Sequence, residues 1–145
     1  MRVGERMRRE PVAAGPAESL GHAARLLTRH RLRALPVVRR GALLGLVAAA
    51  DVDRAHPSAA TTLAVGEVHT CLDRVRIDRV IEPPVTAVGP RTPLVDAIRL
   101  MRARRLGAIP VTRGDRLVGL LTEDDLLAVL ALLFDEDPPD RPRAA

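Results

Sequence analysis

The chain is one pattern written twice. Shifting it by 74 positions sets Gly15 on Gly89, Pro16 on Pro90, Pro36 on Pro110, Gly45 on Gly119 and Asp51 on Asp125. Leu20, Ala23, Leu32, Ala34, Val37, Leu43 and Leu46 also meet identical residues. Coincidences of Leu and Ala come easily in an aliphatic chain. Those of Gly, Pro and Asp carry more weight, because backbone geometry or a helix end restricts what can stand there. Such a period means one supersecondary unit used twice. Each unit, at about 50 to 60 residues, buries little of its surface alone. The two copies are therefore expected to pack sheet against sheet and share a core.

Each copy reads in the same order. A turn (Gly15-Pro16; Gly89-Pro90) precedes an amphipathic helix. Its apolar face is Leu20, Ala23, Ala24 and Leu27 in the first copy and Leu94, Ala97, Ile98 and Met101 in the second. Thr92 is the expected N-cap of the second helix, with Pro93 in its first turn. Two strand-length apolar runs follow, Leu35 to Val38 with Leu43 to Val47, and Ile109 to Thr112 with Leu117 to Leu121. Their short polar connections predict β-hairpins. A closing helix is clearest from Glu123 to Phe134, and short strands are expected near Val12 and Val85. The fold class is α/β, built from tandem helix-strand-strand-helix units with pseudo-two-fold symmetry. The boundaries are a first repeat over 1–55, a linker with a helix from Thr61 to Arg74 within 56–76, a second repeat over 77–134, and an acidic, Pro-rich, disordered tail over 135–145.

Composition narrows the function classes. Net charge is +5, and all 23 basic residues are Arg. The acidic residues are interspersed with them, so the charge does not form a segregated basic surface. Phe134 is the only aromatic residue. Stacking platforms for single-stranded nucleic acid are therefore absent. The lone Cys71 cannot form an intramolecular disulfide and reads as a small buried hydrophobe on the linker helix. A single thiol, the lack of a bilayer-length apolar run and a charged segment from Met1 to Glu10 predict a cytoplasmic protein. His22, His30, His56 and His69 show no metal-ligand spacing, and no phosphate-loop or dinucleotide fingerprint occurs. The chain is expected not to be an enzyme, and to need no metal or cofactor.

Gly119-Leu120-Leu121-Thr122-Glu123-Asp124-Asp125 ends a strand and begins a helix. Thr122 and Asp125 lie one turn apart. Two readings stay open on spacing alone. The pair can be a capping box that satisfies the helix end. Alternatively, the carboxylate can take ribose hydroxyls while the hydroxyl and first amides hold phosphate.

Pro36-Val37 with Gly45-Leu46-Val47 and Asp51, and Pro110-Val111 with Gly119-Leu120-Leu121-Thr122 and Asp125, resemble the CBS (cystathionine β-synthase type) domain, here as a stand-alone bacterial pair. The resemblance implies a disc-like regulatory module, often dimeric, that binds AMP, ADP, ATP or S-adenosylmethionine in clefts between the copies. It implies that Asp125 holds ribose and Thr122 helps hold phosphate. Backbone near Thr86, Ala87, Ala108, Ile109 and Pro110 would frame the base, and Arg33 would face the phosphates. Ala48 replaces Thr in the first copy, although Asp51 remains, so the first site is expected to be weaker or empty. The apolar last helix suggests a homodimer, and an unidentified effector protein is implied. Two alternatives remain. One is a nucleic-acid-binding protein using Arg6-Arg8-Arg9, Arg29-Arg31-Arg33 and Arg102-Arg104-Arg105. The other is a dimeric scaffold with an unused cleft.

Overall fold

Hairpin chemistry at two points sets the frame. In the computed structural model, which describes residues 1–55, 71–81 and 85–135, strands β2 (Ala34–Arg39) and β3 (Ala42–Ala48) pair antiparallel. Arg40 and Gly41 join them, both with positive φ (51° and 82°). That is the requirement of a two-residue type I′ turn. In the second copy β4 (Ala108–Arg113) and β5 (Arg116–Thr122) pair through Gly114-Asp115, with positive φ at Gly114 (61°). Both hairpins shift register at the same place, between Val37 and Val38 and between Val111 and Thr112.

Helix α1 (Leu20–Arg29) precedes the first hairpin and α2 (Ala49–Ala55) follows it. Helix α3 (Leu94–Arg104) and α4 (Glu123–Asp135) do the same for the second. The predicted apolar faces are turned inward: Leu20, Ala23 and Leu27 are buried in α1, as are Leu94, Ala97 and Met101 in α3. Ser19 caps α1, accepting from the His22 amide at 3.1 Å. Thr92 does not cap α3. Pro93 holds the cap position without a side-chain bond, and Thr92 Oγ1 instead accepts from the Gly89 amide at 3.2 Å. Thr92 thereby stabilises the preceding turn, because the helix begins one residue later than its spacing suggests.

Arg31 and Arg105 occupy left-handed backbone (φ 52° and 54°) just beyond α1 and α3. The Leu106 amide reaches back to the Met101 carbonyl at 2.9 Å, and Leu32 to Leu27 at 2.8 Å. Glycine is the residue that adopts this geometry without a Cβ penalty. Arg105→Gly is therefore expected to stabilise the fold by about 1 kcal/mol, read as a rise of roughly 3 °C in the melting temperature.

The two leading segments cross over. A single-turn helix at Val3–Glu5 and strand β1 (Arg8–Arg9) lie on the second copy. β1 pairs with β5, Arg8 opposite Leu120 and Arg9 opposite Gly119. The Val3 amide donates to the Thr92 carbonyl at 2.9 Å, and the Gly4 amide to Pro90 at 2.8 Å. The positions 74 residues later repeat this on the first copy. A turn at Ile77–Arg79 lies there, with the Ile77 amide on Glu18 at 2.9 Å and the Asp78 amide on Pro16 at 3.0 Å.

This exchange corrects the expectation of one shared core. Buried apolar side chains form two clusters, each completed by the leading segment of the opposite half. Ile77 packs with Leu20, Leu35 and Val47, and Val3 with Leu94, Ile109 and Leu121. Among the described residues, a third, small buried cluster of Ala34, Ala108 and Leu120 forms the seam between them. The hairpins meet edge to edge rather than face to face, at Ala42 opposite Arg116. The sheet runs β1-β5-β3-β2, with β4 also on β5. The short strands expected near Val12 and Val85 reduce to parallel bridges slightly later, Ala14 with Val37 and Val88 with Val111.

One other expectation changes. Cys71 is exposed rather than buried. Helix α4 buries only Val129, leaving Leu127, Leu130, Leu132, Leu133 and Phe134 exposed. Most of the predicted linker helix and of the tail lies outside the described residues. Among those residues, no helix is long and apolar enough to cross a membrane.

Candidate functional site

Strand β5 delivers Thr122 to the start of α4, and Asp125 is the third residue of that helix. Asp125 Oδ2 accepts from the Thr122 amide at 2.9 Å and from Thr122 Oγ1 at 2.7 Å. The Asp125 amide donates back to Thr122 Oγ1 at 3.3 Å. This is a capping box, as one of the two sequence readings had it. The other carboxylate oxygen, Oδ1, accepts from Arg8 Nε at 2.9 Å. Both oxygens of Asp125 are thus engaged. A ligand hydroxyl could reach Oδ1 by displacing Arg8, whose side chain is 44% exposed. The Asp125 side chain is only 15% exposed, so a hydroxyl that displaces Arg8 has to replace its hydrogen bond to a largely buried carboxylate oxygen.

The first copy repeats half of this. Asp51 Oδ2 accepts from the Ala48 amide at 2.8 Å. Ala48 has no hydroxyl to complete the box. Asp51 Oδ1 is paired with Arg54, one turn along α2.

Open space is distributed unequally. A cavity of about 600 Å³ adjoins Asp51, lined by Leu46, Arg54, Ala55, Arg79 and Val80 as well. Beside Thr122 there is only a crevice of about 10 Å³, where Ala108 and Gly107 face Arg8 and Arg33. The sequence reading ranked the second site above the first on the hydroxyl of Thr122. The room lies at the first. On the second copy, β1 runs along β5 and brings Arg8 onto the carboxylate. The residue 74 positions after Arg8 is Glu82, outside the described residues.

Arg33 crosses the seam between the copies. Its Nη1 donates to Glu123 Oε2 at 3.2 Å, and its Cδ would lie 3.5 Å from a Cβ placed on Gly107, its repeat counterpart. Ala108, Ile109 and Pro110 are buried in β4, so only their backbone could frame a base. The Pro110 carbonyl is already taken by the Val88 amide at 3.1 Å. Thr86 and Ala87 immediately precede that bridge and are half-buried. The structure therefore gathers Arg33, Ala108, Thr122 and Asp125 around one seam. Asp51 stands at a separate cavity, and Thr86, Ala87, Ile109 and Pro110 line neither space.

Four charged residues at these sites escaped the sequence reading. Arg54 follows Asp51 at helical spacing and was legible. Arg8 and Arg79 were not, because chain crossing brings them in from distant positions; Glu123 stands next to Thr122, but the partner that gives it a place in the site, Arg33, lies 90 positions away. Asp78, next to Arg79, sits with both oxygens on Arg76, at 3.2 Å to Nε and 2.7 Å to Nη2. That hydrogen-bonded guanidinium holds its carboxyl below the usual carboxylate range. Arg8 and Arg33, each from a cluster considered for nucleic acid, are both committed to carboxylates.

Comparison with known proteins agrees with this architecture. The chain is 30% identical over 127 residues to a CBS domain-containing protein of Dictyostelium discoideum, covering 83% of this chain and 85% of that one. It is 28% identical over 132 residues to MJ1225 of Methanocaldococcus jannaschii, covering 89% of this chain and spanning 47% of that protein. Among solved structures, AcuB of Vibrio cholerae superposes with a TM-score of 0.78 at 24% identity, covering 98% of each chain. The CBS domain pair of MJ0100, in complex with 5′-methylthioadenosine and S-adenosyl-L-methionine, gives 0.74 at 20% identity, covering 92% of this chain and 98% of that one. CBSX2 in complex with AMP gives 0.73 at 21%, with the same coverage. The sequence profile of the CBS domain matches residues 3–58 and again 77–132. Two matches, together taking in most of the chain and falling on its two structural copies, make it a member of the CBS domain family that carries two CBS repeats.

Proposed function

We propose that this CBS pair is a regulatory, non-catalytic module that binds an adenine nucleotide or S-adenosylmethionine at the junction of its repeats and transmits that binding to a partner protein. The observation that carries the reading is the doubled helix start with a carboxylate at its third position and a guanidinium beside it: Arg8, from the leading segment, on Asp125, and Arg54, of the same helix, on Asp51. A ribose diol matches the carboxylate, and phosphate matches the arginines. The ligand complexes of MJ0100 and CBSX2 support the ligand class. Signalling requires that the ligand favour one of two arrangements of the repeats. The crossed leading segments offer such a coupling, since each ties one half to the other. The exposed apolar side of α4, with Leu130, Leu133 and Phe134, is the face assigned to homodimer formation. The lone thiol of Cys71 suits a reducing cytoplasm.

Binding to the native state raises the melting temperature by mass action; at a hundredfold excess over Kd the stabilisation is about 2.7 kcal/mol. Calorimetric melts with AMP, ADP, ATP and S-adenosylmethionine are expected to show an upward shift with at least one of them. Asp125→Asn retains a cap acceptor but removes the charge facing Arg8. It is expected to diminish the part of the shift that arises at the second site. No shift with any of the four at millimolar concentration would instead favour a scaffold with unused clefts.

A further inference from the structure

We infer that the joined tips of the two hairpins form a basic platform for an acidic peptide segment of a partner protein. The inference rests on the partner proposed above, whose chemistry it names, and is independent of the nucleotide.

Strand pairing lays arginines in a row. Arg39 of β2 lies opposite Ala42 of β3, Ala42 opposite Arg116 of β5, and Arg116 opposite Arg113 of β4. Residues directly opposite in antiparallel strands project from the same face. Arg39, Arg116 and Arg113 therefore share one face, and Arg40 stands in the adjoining turn. All four are exposed. None has a carboxylate within 4 Å among the described residues. Asp78, on the Arg39 side, is held on both oxygens by Arg76. The order of the chain hides this row, because its members meet only through the strand pairing.

The arrangement runs against local stability. Like charges directly opposite each other weaken a hairpin, and Arg113 faces Arg116 in this way. A local rule is broken in this manner where the compensating group belongs to another molecule.

The geometry selects an acidic peptide. Guanidiniums hold carboxylates through paired, charge-assisted hydrogen bonds. Single-stranded nucleic acid finds no stacking platform here, since Phe134, the only aromatic residue, lies on α4. Duplex DNA fits poorly. The row crosses four strands, so its outer strands stand about 14 Å apart, broader than the major groove at about 12 Å.

Fluorescence anisotropy of a labelled oligoglutamate peptide, titrated with the full chain at low salt, tests this. Arg113→Glu, Arg116→Glu and Arg39→Glu should each weaken binding about tenfold, as loss of one charge-assisted contact implies. Arg102→Glu makes the same charge change at an exposed position on α3, and should cost about twofold at most, because distant charges are screened. Arg113→Glu should also raise the melting temperature by about 1 to 3 °C, since it puts opposite charges face to face. Arginines that merely secured the hairpins would lower it. The inference is overturned if the peptide does not bind, if Arg102→Glu costs as much as Arg113→Glu, or if Arg113→Glu lowers the melting temperature. It is equally overturned if a single-stranded or duplex oligonucleotide of matched charge binds more tightly than the peptide. The nucleotide reading stands or falls separately, on the melts with adenine compounds.

Discussion

Val3→Asp is expected to destabilise this protein by about 4 kcal/mol or more. Near a chain end, such a change would ordinarily cost little, because termini fray. Val3 is different, being fully buried among Leu94, Ile109 and Leu121 of the second repeat. A carboxylate there has no described basic side chain in its cluster to pair with, and burying an unpaired charge is among the most costly single changes. A loss of that size consumes much of the stability of a domain this small. Far-UV circular dichroism in urea is the suitable measurement, since a chain without Trp or Tyr gives almost no intrinsic fluorescence. The midpoint should fall steeply, and Ile77→Asp should do the same from the other half. A change below about 1 kcal/mol for Val3→Asp would mean that the leading segment is not docked in solution.

Gly119→Val should cost about 3 kcal/mol, at the upper end of overpacking. A Cβ at Gly119 would run into Met7 Sδ and lie 3.0 Å from the Arg8 carbonyl. The methionine can move aside, but the backbone of β1 cannot do so and keep its pairing with β5. The variant should release β1 before the rest of the fold melts. Amide exchange at Arg8 and Arg9 should accelerate, and the Arg8–Asp125 pair should be lost. Gly45→Val is the internal control. A Cβ there meets Ile81 Cβ at 3.0 Å, the residue that occupies Met7's place in the repeat. Similar losses at both glycines would support equal roles for the two crossings. A stable Gly119→Val with unchanged exchange would contradict the packing of β1 on β5.

These two residues also mark how far the primary structure speaks. The shift by 74 positions, the amphipathic faces of α1 and α3, both hairpins and the start of α4 were all legible, because each depends on spacing within a few residues. So was the capping-box geometry of Thr122 and Asp125. Repetition could show that Gly45 and Gly119 matter but not what lies above them. Nothing local says that Met7 covers Gly119, or that Val3 completes a cluster over a hundred positions away in Ile109 and Leu121.

What the amino-acid order determined by itself was the unit: two helix-hairpin-helix copies, their turns, and an aspartate at the third position of each closing helix. Local propensity and periodicity are enough for that, since they act over one or two turns of chain. Only the tertiary structure decided how the copies join. It exchanges their leading segments, divides the core in two, places Arg8 on Asp125, and opens the larger cavity at Asp51 beside Arg79. Those outcomes come from which surfaces fit once whole elements have formed, and burial is paid to complementary shape without regard to distance along the chain.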